Sequence, residues 1–445
     1  MPCDATSNSR QATDISASTQ LRLAIAIITF ATLHALLWSF VRDPGGGGPD
    51  EGPYFAVVSD MASHGAIPEF TGYAPGAFAG GPVRAQVARE ITPNFLAIPI
   101  AFVIGTIGSS NADLNIQIAR MFMVALYPVT LWLSFLTLRR LFSDTRIAPV
   151  WGVAVMATVP MFTLVHTYYT NDAPAIAAGT FATYALVRAS QSGFGHSDTY
   201  ILGISLGLVA LHKYTGFLIF PATAAIVIWQ FLDRPRRTLQ IGLTLFLITA
   251  SISSWWYIRN LVIYGDPTGV AVTQAAVDAS GGAPIPPRTR GLTPIAFVQE
   301  TNWIGENFAT FWAGYGQKKL KLPGAAYLAF GSFIIAATIG GALRFLTAIR
   351  QGRLSTDVHL YLVLATMHLG LWLLSFWSSY TVDVALSGRY VFPTFLSFIV
   401  ILILGLQSFV VWRGRVAATM LLTVPIMIAS SGAYFFQTIL PDVNT

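Results

Sequence analysis

Asn94-Phe95-Leu96-Ala97-Ile98-Pro99-Ile100-Ala101-Phe102-Val103-Ile104-Gly105-Thr106-Ile107-Gly108 is apolar, yet it differs from every other apolar run in this 445-residue chain. It is about 15 residues long, carries Pro99 inside it and follows Pro93. A helix needs about 20 residues to cross a hydrocarbon core of about 30 Å, and an internal proline removes one backbone hydrogen bond. The stretch is expected to be an interfacial or re-entrant helix rather than a full span.

Outward from it, apolar runs bounded by charges or turn residues are expected to cross near 21–41, 117–138, 147–165, 173–189, 199–211, 215–232, 238–258, 323–346, 358–379, 390–411 and 416–438. The chain is 54% hydrophobic and only 10% charged, where soluble domains carry about 25% charge. Its solvent is lipid, in which helices satisfy every backbone group internally. The expected fold class is all-α: a polytopic transmembrane helix bundle of about eleven spans, with interfacial helices in the first outer loop. Leu21–Val41 is too long for a signal-peptide core and lacks a small-residue cleavage site after it, so it is expected to stay as a helix.

Residues 94–108 also decide orientation. If they do not cross, the loop with Arg139, Arg140 and Arg146 falls on the same side as Arg10, Arg22, Arg188, the Arg234/Arg236/Arg237 cluster, Arg344, Arg350, Arg353, Arg413 and Arg415. The positive-inside rule makes that side cytoplasmic. The expected division is a cytoplasmic tail (1–20), an N-terminal transmembrane module (21–258) with an outer loop at 42–116, a second large outer loop (259–322) and C-terminal helices (323–445). The N-terminus is cytoplasmic and the C-terminus outside, in a bacterial-type cytoplasmic (inner) membrane. No internal repeat, heptad or inverted symmetry is evident.

The net charge of +6 fits cytoplasmic loops better than nucleic acid, because no basic face exceeds a short loop. The single Cys3 excludes an internal disulfide framework and a cysteine-rich metal site. The histidines, including His34, His166, His212 and His368, lack metal-ligand spacing. No metal is expected from sequence, although a divalent cation is not excluded. Phosphate-loop, dinucleotide and nucleophile-elbow motifs are missing, which argues against an ATP-driven pump.

Four motifs on the outer face carry possible chemistry. Gly45-Gly46-Gly47-Gly48-Pro49-Asp50-Glu51 opens the first outer loop with adjacent carboxylates; their repulsion would raise one pKa and suit proton transfer, although a solvated turn also accounts for them. Tyr168-Tyr169-Thr170-Asn171-Asp172 puts a second acid at the start of a helix, where capping is the plain alternative. Trp255-Trp256-Tyr257-Ile258-Arg259-Asn260 ends a span in an aromatic belt and an outward arginine able to meet a lipid phosphate. Ser387-Gly388-Arg389-Tyr390 places another arginine against the charge bias, and with His212-Lys213-Tyr214 makes a third cationic site, a pattern suited to phosphate.

In this order and on one face, the motifs resemble the GT-C superfamily of membrane glycosyltransferases, which take a polyprenyl-phosphate sugar as donor. Asp50-Glu51 matches its first acidic motif, Asn94–Gly108 its surface helix and Asn171-Asp172 its second acid. Pro49-Asp50-Glu51, the run ending at Asn260 and Gly388-Arg389-Tyr390 look most like an uncharacterised bacterial branch related to protein mannosyltransferases and lipid A aminoarabinose transferases. The resemblance implies an inverting transfer to a hydroxyl of a glycan, lipid or protein. Arg259, Arg389 or Lys213 would neutralise the leaving phosphate. Asp50 or Glu51 would take the acceptor proton, and Asp172 would orient the acceptor or share that proton. Asn171, Tyr214 and Tyr390 would contact substrate, and Trp303, Trp312 and Tyr315 would stack on sugars. Alternatives are a transporter or flippase, or a polymerase or ligase, of lipid-linked sugars. Transport is disfavoured because the spans look nearly free of ionisable groups apart from His34 and His368.

Overall fold

The computed structural model describes residues 15–41, 50–72, 89–279, 285–314, 322–351 and 356–407. The glycine run 45–48, Tyr315 and the expected span near 416–438 lie outside them.

The chain enters through α1 (Ala17–Val41), whose 25 residues rise about 37 Å and exceed the hydrocarbon thickness. Next come α2 (Glu51–His64) and α3 (Ala97–Ile107), which pack on each other. α3 is the proline-bearing stretch. Its 11 residues rise about 16 Å, half of what a crossing requires. Ala97, Ile100, Ala101 and Ile104 are buried at helical spacing, while Phe102 and Ile107 remain 70% and 72% exposed. That two-faced pattern suits a helix lying in the interface.

α4 (Ala112–Leu141) begins where the Asn111 side chain accepts from the amides of Asp113 and Leu114. The expected run 147–165 is divided into α5 (Ile147–Thr158) and α6 (Pro160–Leu164). Pro160 brings no amide and keeps Val159 extended, with ψ of 113°. α7 (Asp172–Gln191) and α8 (His196–Ala210) follow, then a 3-10 turn (Tyr214–Leu218), α9 (Ile219–Gln230) and α10 (Pro235–Tyr264). The second long loop holds α11 (Val270–Ala279), α12 (Pro294–Thr301) and α13 (Trp303–Trp312). α14 (Gly324–Arg350), α15 (Thr356–Thr381), a second 3-10 turn (Gly388–Thr394) and α16 (Phe395–Gln407) complete the described chain.

Six described segments are long and apolar enough to cross a membrane: α1, α4, α10, α14, residues 358–381 of α15, and the second 3-10 turn continued into α16. Of the other expected spans, four correspond to shorter, broken or less apolar helices and one lies outside the described residues. The protein is thus an all-α, multi-pass membrane bundle, with α5, α7 and α16 buried along most of their length at its centre and α10 and α14 largely exposed at its margin. α8 meets α10 through Gly203 and Gly207, where an added Cβ would press into Ile248 and Ile252. Small residues four apart are what allow two membrane helices to approach this closely.

Candidate functional site

Five separated stretches meet at one end of the bundle: the start of α2, the turn before α3, the turn leading into α7, the 211–214 link and the second 3-10 turn. The turn into α7, residues 166–171, is buried throughout. It therefore serves as the floor of the site.

Asp50 and Glu51 are adjacent, but their carboxylates go opposite ways. Asp50 adopts a left-handed backbone, φ 66° and ψ 5°, immediately before α2, a conformation that costs about 1–3 kcal/mol in a residue other than glycine and that Asp tolerates better than most. This bend sends Glu51 inward. Glu51 Oε1 accepts from Arg120 Nε at 2.8 Å and from the Tyr169 amide at 2.9 Å, while Oε2 accepts from Arg120 Nη2 at 2.7 Å. Arg120 Nη1 also donates to the Ser39 carbonyl at 3.1 Å. Fully buried, with side-chain exposures of 0% for Arg120 and 2% for Glu51, this two-pronged pair ties α2, α4, α1 and the turn before α7 together. It also corrects one expectation: Arg120 lies inside the expected span 117–138, so the spans are not nearly free of ionisable groups. Glu51 faces away from Asp50; it anchors.

Asp50 faces the opening and keeps 39% of its side chain exposed. Its Oδ2 accepts from Arg389 Nη2 at 2.9 Å, and Arg89 Nη2 stands 3.5 Å from Oδ1. Arg389 is buried; its Nη1 donates to the Tyr168 hydroxyl at 2.9 Å and its Nε lies 3.3 Å from Asp172 Oδ2. Lys213 Nζ donates to Asp172 Oδ1 at 2.6 Å. Tyr390 lies under both cations, 4.6 Å from Lys213 Nζ and 5.4 Å from the Arg389 guanidinium carbon, and Arg89 stands 4.4 Å over the Tyr54 ring. Burial pushes the Asp172 carboxyl up, but Lys213 and then Arg389 outweigh it and hold the group below the ordinary carboxylate range. Three cations thus face two carboxylates around a partly open centre, a local excess of positive charge suited to a phosphate.

Arg389 owes its position to the backbone. The Gly388 amide donates to Thr310 Oγ1 on α13 at 2.9 Å, and a Cβ at Gly388 would overlap the Asn307 carbonyl and Phe311. No larger residue fits between α13 and the turn that carries Arg389.

The remaining sequence-derived candidates fall elsewhere. Arg259 Nη2 donates to the Pro68 carbonyl at 2.9 Å, with the guanidinium between the Trp256 and Tyr264 rings. Trp256 Nε1 and Asn260 Nδ2 both donate to the Ile91 carbonyl, at 3.1 and 3.0 Å. The Trp-Trp-Tyr-Ile-Arg-Asn run is therefore a clamp that grips the first loop on both sides and sets the turn bearing Arg89. Tyr214 donates its hydroxyl to the Thr268 carbonyl at 2.7 Å, and Asn171 is buried just before α7. Burial pushes His212 down to about 4, outweighing the hydrogen bond that the Leu208 carbonyl accepts from its ring, so Lys213 alone brings charge to that link at neutral pH. Trp303 and Trp312 are corrected from sugar platforms to packing residues: 6% and 2% exposed, they sit against Phe376 and Phe330.

Arg89 and Arg120 are the two site residues that the sequence reading missed. Arg120 is visible as a cation in an apolar run; Arg89 has no local motif. Among the described residues no group of three His, Cys, Asp or Glu side chains converges as a metal centre would require.

Residues 99–256 match the family of dolichyl-phosphate-mannose-protein mannosyltransferases. That segment includes Arg120, Asp172 and Lys213 and leaves Asp50, Glu51 and Arg389 outside it. No curated protein matches the sequence. The fold is similar to that of ArnT from Cupriavidus metallidurans bound to undecaprenyl phosphate, with a TM-score of 0.55 and 13% identity over 93% of this chain and 64% of that one. It is also similar to the oligosaccharyltransferase AglB from Archaeoglobus fulgidus in complex with an inhibitory peptide and a dolichol-phosphate, with a TM-score of 0.57 and 15% identity over 94% of this chain and 56% of that one. The chain thus spans between about half and two thirds of the length of these proteins.

Proposed function

We propose that this chain is a GT-C membrane glycosyltransferase that transfers a sugar from a polyprenyl-phosphate donor to a hydroxyl of a glycan, lipid or protein at the outer face of a bacterial cytoplasmic membrane. The observation that carries the proposal is the unequal exposure of three neighbouring acids. Glu51 is buried on Arg120 and Asp172 is buried on Lys213 and Arg389, whereas Asp50, which shares Arg389 with Asp172, stays open to an incoming acceptor.

In this scheme the donor phosphate enters among Arg389, Lys213 and Arg89. The acceptor oxygen attacks the anomeric carbon from the opposite side and its proton passes to the Asp50 carboxylate. The bond from that carbon to the phosphate oxygen breaks, the electron pair leaves with the phosphate, and the three cations offset the charge that develops there. One displacement inverts the anomeric centre. Asp172 holds Lys213 and Arg389 in place for the phosphate, and Glu51 with Arg120 fixes the start of α2 so that Asp50 keeps its angle. The Nε of Arg89, buried without a hydrogen-bond partner among the described residues, is a donor for a phosphate oxygen.

The test is incubation of the purified protein with a panel of polyprenyl-phosphate sugars, scoring release of polyprenyl phosphate. Release with at least one donor, lost in Asp50→Asn, supports the proposal. Lack of release with every donor, in protein that still binds polyprenyl phosphate, would favour a carrier of lipid-linked sugars.

A further inference from the structure

The far end of the bundle holds a second, unrelated feature. A cavity of about 470 Å³ opens where the first turn of α1 meets the α4–α5 connection, with Ser18, Gln20, Leu21, Arg139, Phe142 and Arg146 in its wall. Along α4, Arg139 lies about 28 Å beyond Arg120, so the cavity is remote from Asp50. Its volume falls within the range of about 300–1,000 Å³ typical of small-ligand clefts.

The wall is held in register by side chains. Gln20, only 5% exposed, donates Nε2 to the Arg146 carbonyl at 2.8 Å, and Arg146 Nη1 donates to the Ile15 carbonyl at 3.1 Å. Ser16 Oγ accepts from the Thr19 amide at 3.1 Å and caps α1. Two guanidiniums therefore share one cavity with the positive end of a 25-residue helix.

The apolar part of the wall, Ala17, Leu21 and Phe142, leads away along the lipid-facing surface. Leu21 and Phe142 line the cavity; Leu21 and Ile25, one turn apart on α1, are 38% and 49% exposed, and Trp132, two turns from Arg139 on α4, is 37% exposed. A free phosphate gains nothing from such a track, whereas an acyl chain buries apolar surface along it.

We propose that this cavity binds the headgroup phosphate of an anionic phospholipid, between Arg139 and Arg146, with one acyl chain running past Leu21, Ile25 and Trp132. The lipid fastens the start of α1 to the α4–α5 connection. The site needs no part of the transfer chemistry and stands or falls apart from it.

The test uses the full chain in detergent and native mass spectrometry, with dioleoyl-phosphatidylglycerol and dioleoyl-phosphatidylcholine added at equal concentration. Retention of the phosphatidylglycerol should exceed that of the phosphatidylcholine at least about fivefold. Arg139→Gln should abolish the preference, and so should Arg139→Gln with Arg146→Gln, while Arg236→Gln, an exposed arginine outside the cavity, leaves it intact. Arg139 is itself exposed, so its substitution leaves the Gln20–Arg146 staple in place. Equal retention of the two lipids, an equal loss in Arg236→Gln, or displacement of the lipid from wild type by millimolar inorganic phosphate would each overturn the proposal.

Discussion

Replacing Arg120 by Met should unfold this protein more readily than any substitution at its surface. The Glu51–Arg120 pair combines bonds of 2.7 and 2.8 Å with near-complete burial. Removing one member of such a pair strands the other charge and costs about 3–5 kcal/mol. Arg120→Met belongs at the upper end, because the carboxylate then keeps the Tyr169 amide but loses both guanidinium bonds. Glu51→Gln belongs at the lower end: the amide oxygen can still accept from the guanidinium, and Arg120 retains the Ser39 carbonyl. The double variant should recover about 1–3 kcal/mol relative to the sum, since neither charge is then left alone. Denaturant titration in mixed micelles measures all three. Polyprenyl phosphate release at a temperature where each variant is folded separates anchoring from unfolding, and both single variants should remain slow there because Asp50 has lost its angle. A cost below about 1 kcal/mol for either single variant, or strict additivity in the double, would refute the anchoring role.

Lys213→Gln removes the strongest of the interactions that hold the Asp172 carboxyl low. A carboxyl with a depressed folded pKa contributes stability above its unfolded value, near 4, and loses it as pH falls through the lower folded value. In Lys213→Gln the acid limb of a stability-versus-pH curve should therefore move to higher pH; an unmoved limb would contradict the assignment. Gly388→Ala should cost about 1–3 kcal/mol by overpacking and displace Arg389, seen as lost turnover in protein that remains folded. Arg389→Lys keeps the charge and breaks the links to Tyr168, Asp172 and Asp50, so turnover should fall at least about 100-fold. Arg259→Lys should cost less than about tenfold, since its contacts are a loop carbonyl, the Asn260 side chain and two rings rather than the site acids, and a reversed order would return Arg259 to the phosphate site.

How far the sequence revealed the site depended on sidedness. Asp50, Asp172, Lys213 and Arg389 are hydrophilic residues stranded at the ends of apolar runs, and counting which end each occupies is enough to bring them together. Residues 94–108 were legible as a short helix from their length and one proline, and α3 has 11 residues. Arg120 was lost because a single cation in a long apolar run reads as part of that run, and only the fold shows Glu51 reaching down from α2 to meet it. Arg89 was lost because its position depends on Trp256 and Asn260 holding Ile91, a contact across 165 residues. Arg259 was misjudged for the converse reason: an outward arginine has the same sequence signature whether it binds a ligand or a loop carbonyl. The span near 147–165 reads as continuous because hydropathy does not register the amide missing at Pro160, and Trp303 and Trp312 read as platforms because composition cannot separate an exposed ring from a packed one.

The central claim is that Asp50 takes the acceptor proton while Arg389, Lys213 and Arg89 hold the phosphate. It is tested most directly by single-turnover transfer from a saturating polyprenyl-phosphate sugar in Asp50→Asn, alongside the affinity of that variant for polyprenyl phosphate. The account expects affinity within a few-fold of wild type and a transfer rate lowered about 10²–10⁴-fold, the usual contribution of a general base. Transfer at a near wild-type rate, with binding intact, would contradict it.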